Sequence, residues 1–285
     1  MHQRERPRSR EYAVWYRLRM AHASHLTKNR EGFPWGTTVV TEASESHGIE
    51  LAIVRMKKGE TLAEHSGMET AWVLLDGRCM TSVDGIEHPV ERHSLFDERP
   101  SVVQLPPGEH ITLRAETDVE WARVRTENYR GFDPALYVPE SISSEARGKD
   151  LVQDASLRIV RLVFDDNNAP ASNLVIGEVV NLPGRWSSYP PHHHDQPELY
   201  HYRFTHPQGY GHAEIGDDVV KVKQNDTVKI TGGLDHPQVA APGYGMYYLW
   251  IVRHGDKRYT GFTFTNEHRW ILDGKDQGWQ PKELK

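Results

Sequence analysis

The sequence predicts an all-β protein, and three observations support this fold class. The apolar runs, such as IELAIVRM, TAWVLL and MYYLWIV, are β-branched or aromatic and only four to eight residues long, which is strand spacing. Turn-forming residues, 23 Gly and 17 Pro, separate these runs at short intervals. Finally, similar landmarks recur in the two halves of the chain. Together these features indicate a duplicated β architecture.

The strands can be placed in chain order. In the first half we predict strands at IELAIVRM, TAWVLL and SVVQLP. The segment SISSEARGKDLV, near residues 141–152, has no apolar period and is rich in Ser and charge, so we predict a short helix or linker there. The second half continues with strands at IGEVVNL, VVKVKQ, TVKITGG and MYYLWIV. A linker would thus separate two β regions.

The repeat is defined by three pairs of landmarks: Gly59 with Gly184, Glu69 with Glu198, and His110 with His236. The separations are 125, 129 and 126 residues, and a period of that length corresponds to a whole domain rather than a solenoid unit. We therefore predict two tandem β-domains, residues 1–145 and 146–285, with the boundary near 140–155.

Composition restricts the functional classes. One cysteine, Cys79, excludes a disulfide framework and favours a reducing compartment. The N-terminal residues MHQRERPRSREYAVWY contain no apolar export signal, and YYLWIV is too short to span a bilayer, so we expect a cytoplasmic protein without membrane contact. A net charge of -6 argues against a nucleic-acid partner. Small-molecule chemistry is the leading class.

The stretch SSYPPHHHDQPELYHYRF, residues 187–204, contains the first candidate site. On a strand, His192 and His194 share one face while His193 points the other way. Glu198 begins the next strand, where Tyr200 and Tyr202 share its face. These two tyrosines are either core residues or hydroxyl donors in a pocket, whereas we expect His193 and His201 to face outward.

A third histidine completes a metal-ligand set. His236 follows Glu198 by 38 residues, after the turn GGLD. Three neutral imidazoles and one carboxylate would give a site of net charge +1 with a divalent ion, and octahedral geometry would leave two positions open. We predict that His192, His194, Glu198 and His236 bind one divalent metal ion; Zn, Mn, Fe, Ni and Co all suit these ligands.

The first half carries only part of this set. His65, Glu69 and His110 are present, but EHSGM offers one histidine where the second half has His-x-His. We expect the first domain to be metal-free and to act as a scaffold or dimerisation surface.

The motifs resemble a known family. The pattern GxxxxxxxHxHxxxE, followed by a Gly-rich turn and His, resembles the metal motifs of the cupin superfamily. The strings IGEVVNLPGRWSSYPPHHHD, ELYHYRF, HPQVAAPGYGMYYLW and NEHRWI resemble the 5-deoxy-glucuronate isomerase family of inositol catabolism, and the first half resembles it more loosely through GET, MET, DG and LPPGEH. The resemblance implies a bicupin of two tandem jelly-roll β-barrels, and such sheets commonly extend across a two-fold, so we expect a homo-oligomer.

The resemblance also implies an activity. An aldose acid, 5-deoxy-glucuronate, would be isomerised to the ketose acid 5-dehydro-2-deoxy-gluconate through an enediol, with the cation stabilising negative charge on the two reacting oxygens. The proton carrier remains open among Glu198, Tyr200, Tyr202 and a metal-bound hydroxide. For substrate binding we expect Arg185 to hold the carboxylate, helped by Ser188 and Gln208 at the barrel mouth.

Three alternatives stay open. A ketol-isomerase acting on 5-keto-4-deoxyuronate in pectin breakdown would use a similar layout and metal motif. An Fe(II) dioxygenase would use the same three histidines and one glutamate. A non-catalytic cupin that binds a sugar acid would hold a structural metal with closed coordination.

Overall fold

The computed structural model describes residues 25–255 and 257–284. The expectation that the N-terminus carries no export signal concerns residues 1–16, which lie outside the described residues. Within these ranges no helix is long and apolar enough to cross a membrane. The all-β prediction is confirmed, because the only helices described are short 3-10 turns at Ala43–Glu45, Pro139–Ser141, Asn266–Asp273 and Lys282–Leu284.

The strands of the first half are, in chain order, β1 (Leu26–Thr27), β2 (Gly36–Thr41), β3 (Glu50–Met56), β4 (Thr61–His65), β5 (Glu69–Val83), β6 (Ile86–Arg92), β7 (Val102–Leu105), β8 (His110–Ala115), β9 (Val119–Thr126), β10 (Ala135–Tyr137) and β11 (Ser143–Arg147).

The strands of the second half are β12 (Arg158–Phe164), β13 (Leu174–Asn181), β14 (Trp186–Ser187), β15 (His192–His193), β16 (Glu198–Phe204), β17 (Tyr210–Ile215), β18 (Asp218–Lys223), β19 (Thr227–Ile230), β20 (Gln238–Ala240), β21 (Met246–Arg253) and β22 (Thr263–Phe264).

Two large antiparallel sheets organise these strands. The first has the order β10-β7-β5-β9-β3-β2, and β4, β6 and β8 continue it along the far end of the long strand β5. The second has the order β1-β19-β16-β21-β13-β12-β11. Smaller sheets, β14-β20-β17-β18 and β15-β22, complete the second half. Each large sheet has a central strand that begins with a glutamate of the repeat, β5 with Glu69 and β16 with Glu198.

Strands from the first half form both edges of the second sheet. Strand β1, from the predicted first domain, pairs with β19 of the second sheet, and β11 pairs with β12. The predicted boundary at 145/146 therefore falls inside β11. The helix or linker prediction for residues 141–152 was wrong for Ser143–Arg147, because pairing with an exposed edge strand outweighs weak local propensity. Turns follow β11 up to residue 156.

The two large sheets pack against each other through apolar side chains. The shared cluster contains Leu51, Ile53, Val73, Val124, Leu174, Ile176, Leu199 and Ile251. The opposite face of each sheet covers a cluster of its own half. Both faces of strands such as β5 and β21 are thus buried, which explains the continuous apolar runs TAWVLL and MYYLWIV.

A buried ion pair also joins the halves. Arg92, at the end of β6, donates to both carboxylate oxygens of Glu178 on β13, at 2.7 and 2.8 Å. The hydroxyl of Tyr247 donates to the same carboxylate at 2.7 Å. All three side chains are buried, so this bidentate contact fixes the position of β13 relative to the first half.

Candidate metal centre and cavity

A cavity of about 300 Å³ lies on the inner face of the second sheet. Its walls include the four predicted metal ligands together with Arg158, Tyr248 and Trp250. The strand alternation that aims Glu198 and Tyr200 inward also aims Tyr248 and Trp250 inward from the neighbouring β21.

Three of the predicted ligands converge. The ligand atoms of His194, Glu198 and His236 lie within 4.8 Å of one another, the only such group among the described residues. Nε2 of His194 is 3.1 Å from Oε2 of Glu198, and Nε2 of His236 is 3.4 Å from the same oxygen. The ring of His192 lies beside this group, 5.2 Å from the ring of His236.

Local structure brings these side chains together. His192 is held by pairing with Phe264 of β22, and Glu198 is the first residue of β16, between β19 and β21. The turn before His236 packs tightly on the ligand strand: a Cβ on Gly232 would lie 1.9 Å from the carbonyl oxygen of Asp195. Gly232 is therefore required for this close approach, whereas Gly233 is favoured by its positive φ of 83°.

Hydrogen bonds set the orientation of the imidazoles. Nδ1 of His192 donates to the carbonyl of Pro190 at 3.1 Å, and Nδ1 of His236 donates to the carbonyl of Leu234 at 2.8 Å. With the proton on Nδ1, Nε2 presents its lone pair. Among the described residues, the buried Nδ1 of His194 has no hydrogen-bond partner. Such a set of lone pairs around one carboxylate fits a divalent cation.

The protonation state of the histidines also fits the binding of a divalent cation. Burial lowers the pKa of His192 well below its usual value, and the nearby His236 lowers it further. Burial likewise lowers the pKa of His236, against the opposing charge of Glu198. Both imidazoles are therefore neutral near neutral pH, as metal ligation requires.

Two tyrosines place hydroxyl groups in the cavity. The hydroxyl of Tyr200 lies 3.2 Å from Oγ of Ser188, and that of Tyr248 donates to Oγ of Ser187 at 2.8 Å. Burial raises the pKa of Tyr200 well above its usual value and that of Tyr248 to about 12. Both phenols stay protonated at neutral pH, so they can donate hydrogen bonds but cannot serve as bases.

The wall of the cavity depends on one glycine. A Cβ on Gly177 would lie 2.2 Å from Cζ2 of Trp250, so only glycine lets this indole lie across β13. Trp250 thereby forms an apolar wall next to the polar ligands.

A C-terminal segment covers the ligands. The ring of Tyr259 meets His194 edge to face at 4.9 Å, and Phe262 stacks on His192 at 3.9 Å. The backbone N–H of Tyr259 donates to Nδ1 of His254 at 2.8 Å, and Arg258 pairs with Asp166. This covering segment, residues 257–262, shields the ligands from solvent.

Other predicted site residues lie elsewhere. Tyr202 donates its hydroxyl to Oε1 of Gln238 and does not line the cavity. Arg185 donates to the carbonyl of Gln153 at 3.1 Å, because its side chain extends towards the turn around residue 153. Gln208 is exposed in the loop between β16 and β17. Of the predicted substrate-binding residues, the structure places only Ser188 at the cavity.

The remaining histidines of the motif have separate partners. His193 faces away from the cavity, and its Nδ1 lies 2.8 Å from Oδ1 of Asp235. His201 was expected to face outward, but it is fully buried between the sheets, 2.8 Å from Oγ1 of Thr227. The expectation missed that the outer face of β16 packs on the first sheet.

Sequence reasoning also missed Arg158, Arg147 and the covering segment. Arg158, Val160 and Leu162 share the face of β12 that lines the cavity. The run RIVRLVF carries apolar residues and an arginine on both faces, so alternation could not identify the inner one. Only the pairing of β12 with β13 reveals it.

The landmarks of the first half form no metal site. His65 and His110 are exposed and stack on each other, with ring centroids 4.2 Å apart. Glu69 is fully buried and accepts hydrogen bonds from four groups at 2.5 to 3.0 Å: Oγ of Ser172, Nδ2 of Asn128, the backbone N–H of Asn173 and Nε2 of Gln104. This carboxylate joins the two halves instead of meeting the histidines.

Comparison with known proteins gives consistent matches. The 5-deoxy-glucuronate isomerase of Geobacillus kaustophilus is 29% identical over 266 residues, which cover 87% of this chain and 93% of that protein. The enzyme of the same name from Geobacillus thermodenitrificans is 28% identical and covers 89% and 96% of the two chains.

Solved structures show the same fold. An IolB-like protein from Salmonella typhimurium superposes with a TM-score of 0.77 at 24% identity, covering 87% of this chain and 99% of that one. The oxalate decarboxylase of Lactobacillus farciminis superposes with a TM-score of 0.60 at 13% identity, covering 89% and 88%. The chain thus has a cupin-like β fold.

The family model described as KduI/IolB matches residues 23–271, which is most of the chain. The two Geobacillus relatives are named as isomerases, and the matches cover 93% and 96% of their lengths. The chain therefore belongs to the KduI/IolB family and is an isomerase.

Proposed function

We propose that this protein is a metal-dependent aldose–ketose isomerase that converts 5-deoxy-glucuronate to 5-dehydro-2-deoxy-gluconate in inositol catabolism. One observation carries the proposal: the His194, Glu198 and His236 cluster shares a covered cavity with the protonated phenol of Tyr200. The name of the relatives supports the choice of substrate.

We also infer a bicupin organisation, with a metal-free first barrel and a metal-binding second barrel. Two facts support it: the corresponding central strands, β5 and β16, occupy matching places in sheets of similar order, and the landmarks of the repeat follow the same succession.

His194, Glu198 and His236 would hold the ion, with His192 as the fourth ligand. When bound, a divalent ion supplies positive charge that stabilises the negative charge developing on the C1 and C2 oxygens of the substrate. Zn, Mn, Fe, Ni and Co remain candidates, since imidazole and carboxylate suit all of them.

The reaction moves protons without a redox partner. The proton on C2 is removed and returned to C1, while the hydroxyl proton of O2 is lost and O1 gains one, so the aldehyde becomes a hydroxyl and C2 a ketone. Among the three side chains considered, Glu198 is the group we assign to the carbon-bound proton, because Tyr200 is already protonated and the hydroxyl of Tyr202 donates to Gln238. Tyr200 donates a hydrogen bond to a reacting oxygen.

The covering segment completes the site. Phe262 and Tyr259 pack on two ligand histidines and limit the access of water. Exclusion of water protects the enediol from side reactions and strengthens each polar contact in the cavity.

The test is an NMR assay of 5-deoxy-glucuronate with the purified protein as isolated, after chelation, and after a divalent ion is restored. We expect the C1 aldehyde signal to give way to a C2 ketone signal, turnover to stop on chelation, and the ion to restore it. Conversion of 5-keto-4-deoxyuronate alone would reassign the substrate, and oxygen consumption would indicate a dioxygenase. Binding of the acid without turnover would indicate a non-catalytic cupin.

A further inference from the structure

Arg158 differs from the other buried arginines. Four of them pair with a carboxylate: Arg92 and Arg161 with Glu178, Arg123 with Glu50 and Glu64, and Arg203 with Glu120. Arg158 is 9% exposed, and it has no carboxylate partner within the described residues. A buried cation without a counter-charge is costly unless something else compensates it.

Only one of the three guanidinium nitrogens of Arg158 donates a hydrogen bond within the described residues. Its Nη1 donates to the carbonyls of Ser156 and Tyr189, at 2.9 and 3.2 Å. Its Nε and Nη2 make no hydrogen bond within the described part of the chain, and neither is among the fully buried atoms that lack a partner. Arg158 itself lines the cavity. Two adjacent donors of one planar group are thus held in place by the anchored third nitrogen.

A second arginine faces the same cavity. Arg147 lies directly opposite Arg158 in the pairing of β11 with β12, and both side chains line the cavity. Like charges directly opposite each other destabilise a sheet. Arg147 has an exposed partner, Glu145, at 2.9 Å, whereas the charge on the inner arginine stays uncompensated.

In the second sheet, Arg147 and Arg158 lie near one end of β13, and the start of the strand that carries Glu198 lies near the other. Arg158 pairs with Asn181, at the end of β13. Glu198 pairs with Val252, which pairs with Val175 near the start of β13.

Resting on the proposed function, we infer that Arg158 binds the carboxylate of the sugar acid through Nε and Nη2, with Arg147 adding positive charge beside it. The planar fork of arginine matches a carboxylate bidentately. The aldehyde end of the substrate then points to the His194, Glu198 and His236 cluster. Arg158 would determine specificity for a uronic acid over a neutral aldose.

The experiment compares Arg158→Met and Arg158→Lys with the parent protein on 5-deoxy-glucuronate and on its uronamide, which lacks the charge. For Arg158→Met we expect kcat/KM on the acid to fall at least about thirtyfold, mostly through KM, and kcat/KM on the amide to change less than about threefold. Arg158→Lys keeps the charge without the fork, so its loss on the acid should be intermediate.

Two further variants complete the comparison. Arg114→Met, exposed on β8 of the first half, is the matched control and should leave both substrates unchanged. Arg185→Met tests the rival position: an acid-specific loss there, without one in Arg158→Met, would overturn the inference. Equal losses on acid and amide in Arg158→Met, with unchanged metal content, would also overturn it. If Arg158→Met does not fold, the acid-to-amide ratio of Arg158→Lys decides.

A binding measurement separates this inference from the proposed function. The C1-reduced acid has no aldehyde and cannot isomerise, so calorimetry reports its binding alone. Binding to the parent that is lost in Arg158→Met supports the carboxylate site even if the parent does not turn over 5-deoxy-glucuronate. Undiminished binding to the variant refutes the site even if the parent is an active isomerase.

Discussion

The two halves of this protein have similar central strand orders, yet one interior is filled and the other is hollow. In the first half, Trp72 and Trp121 are fully buried and meet edge to face at 6.2 Å within an apolar cluster. In the second half, the interior carries histidines, a glutamate and tyrosines around a cavity. The backbone permits both outcomes, so the size and polarity of a few inward side chains decide whether a site exists.

The two glutamates show how this difference arises. Their separation is 129 residues, whereas the histidine landmarks are 126 apart. Since side chains alternate along a strand, an odd change in register moves a residue to the opposite face. Glu69 therefore faces the other half of the molecule, and a separation of 126 pairs Glu198 with Trp72. At the histidine spacing, the sequence position in the first half that corresponds to Glu198 therefore carries a tryptophan instead of a carboxylate.

The largest effect should come from the histidines. We expect His236→Ala to lose its metal and to lower kcat/KM more than about a thousandfold, because the ligand set is broken. His110→Ala, the corresponding landmark in the first half, should keep one metal per chain and full turnover. Elemental analysis and the NMR assay measure both. Two metals per parent chain, or metal loss in His110→Ala, would break the comparison.

We expect the filled interior of the first half to contribute to stability rather than to activity. Trp72→Ala removes a fully buried indole, so we expect the free energy of unfolding to fall by about 4 kcal/mol. Turnover per folded molecule should stay at the parent level, because this tryptophan does not line the cavity. Urea unfolding and the isomerase assay at equal folded concentration give the two readings; a selective loss of kcat would contradict the scaffold role.

The glutamate pair sharpens the comparison further. Glu69→Gln leaves buried donors facing an amide N–H₂ group, so we expect about 3 kcal/mol of lost stability. Its metal content should not change. Glu198→Gln should show the opposite pattern. We expect this variant to lose its metal but to unfold at about the same denaturant concentration as the parent protein after chelation. Unfolding curves with parallel metal analysis test this crossover, and a metal-depleted Glu69→Gln protein would refute it.

The smallest effect concerns pH and the covering segment. Burial lowers the pKa of His254 to about 4, with Arg258 adding to the effect and Asp166 opposing it. The unfolded chain, with an ordinary histidine pKa near about 6.5, binds more protons between these values. The stabilisation that the neutral His254 ring contributes is therefore present above about pH 6.5 and is lost as pH falls towards 4.

Protonation of His254 also breaks its bond from the N–H of Tyr259. We expect His254→Gln to show a shallower loss of stability between these pH values than the parent. Denaturant unfolding at several pH values measures the two slopes. Identical slopes for parent and His254→Gln would contradict this assignment.

The sequence by itself determined the strand-rich class, the repeat and the ligand cluster, because these depend on local patterns. Strand alternation predicted that His192 and His194 share one face, and both line the cavity; the GG pair already indicated a tight turn before His236. Such patterns need only the strand period and the conformational freedom of glycine.

Tertiary structure alone decided the rest. Both faces of β5, β12 and β16 carry apolar residues, so only the packing of the two sheets fixed which face of each strand points into the interior of its own half. That choice sent Glu69 into the interface between the halves and Arg158 into the cavity. The tertiary structure also places Tyr259 on His194 and Phe262 on His192, although these partners are more than fifty residues apart in the chain. Long-range pairing of this kind leaves no periodic signal, because each contact depends on a partner strand rather than on its neighbours in sequence.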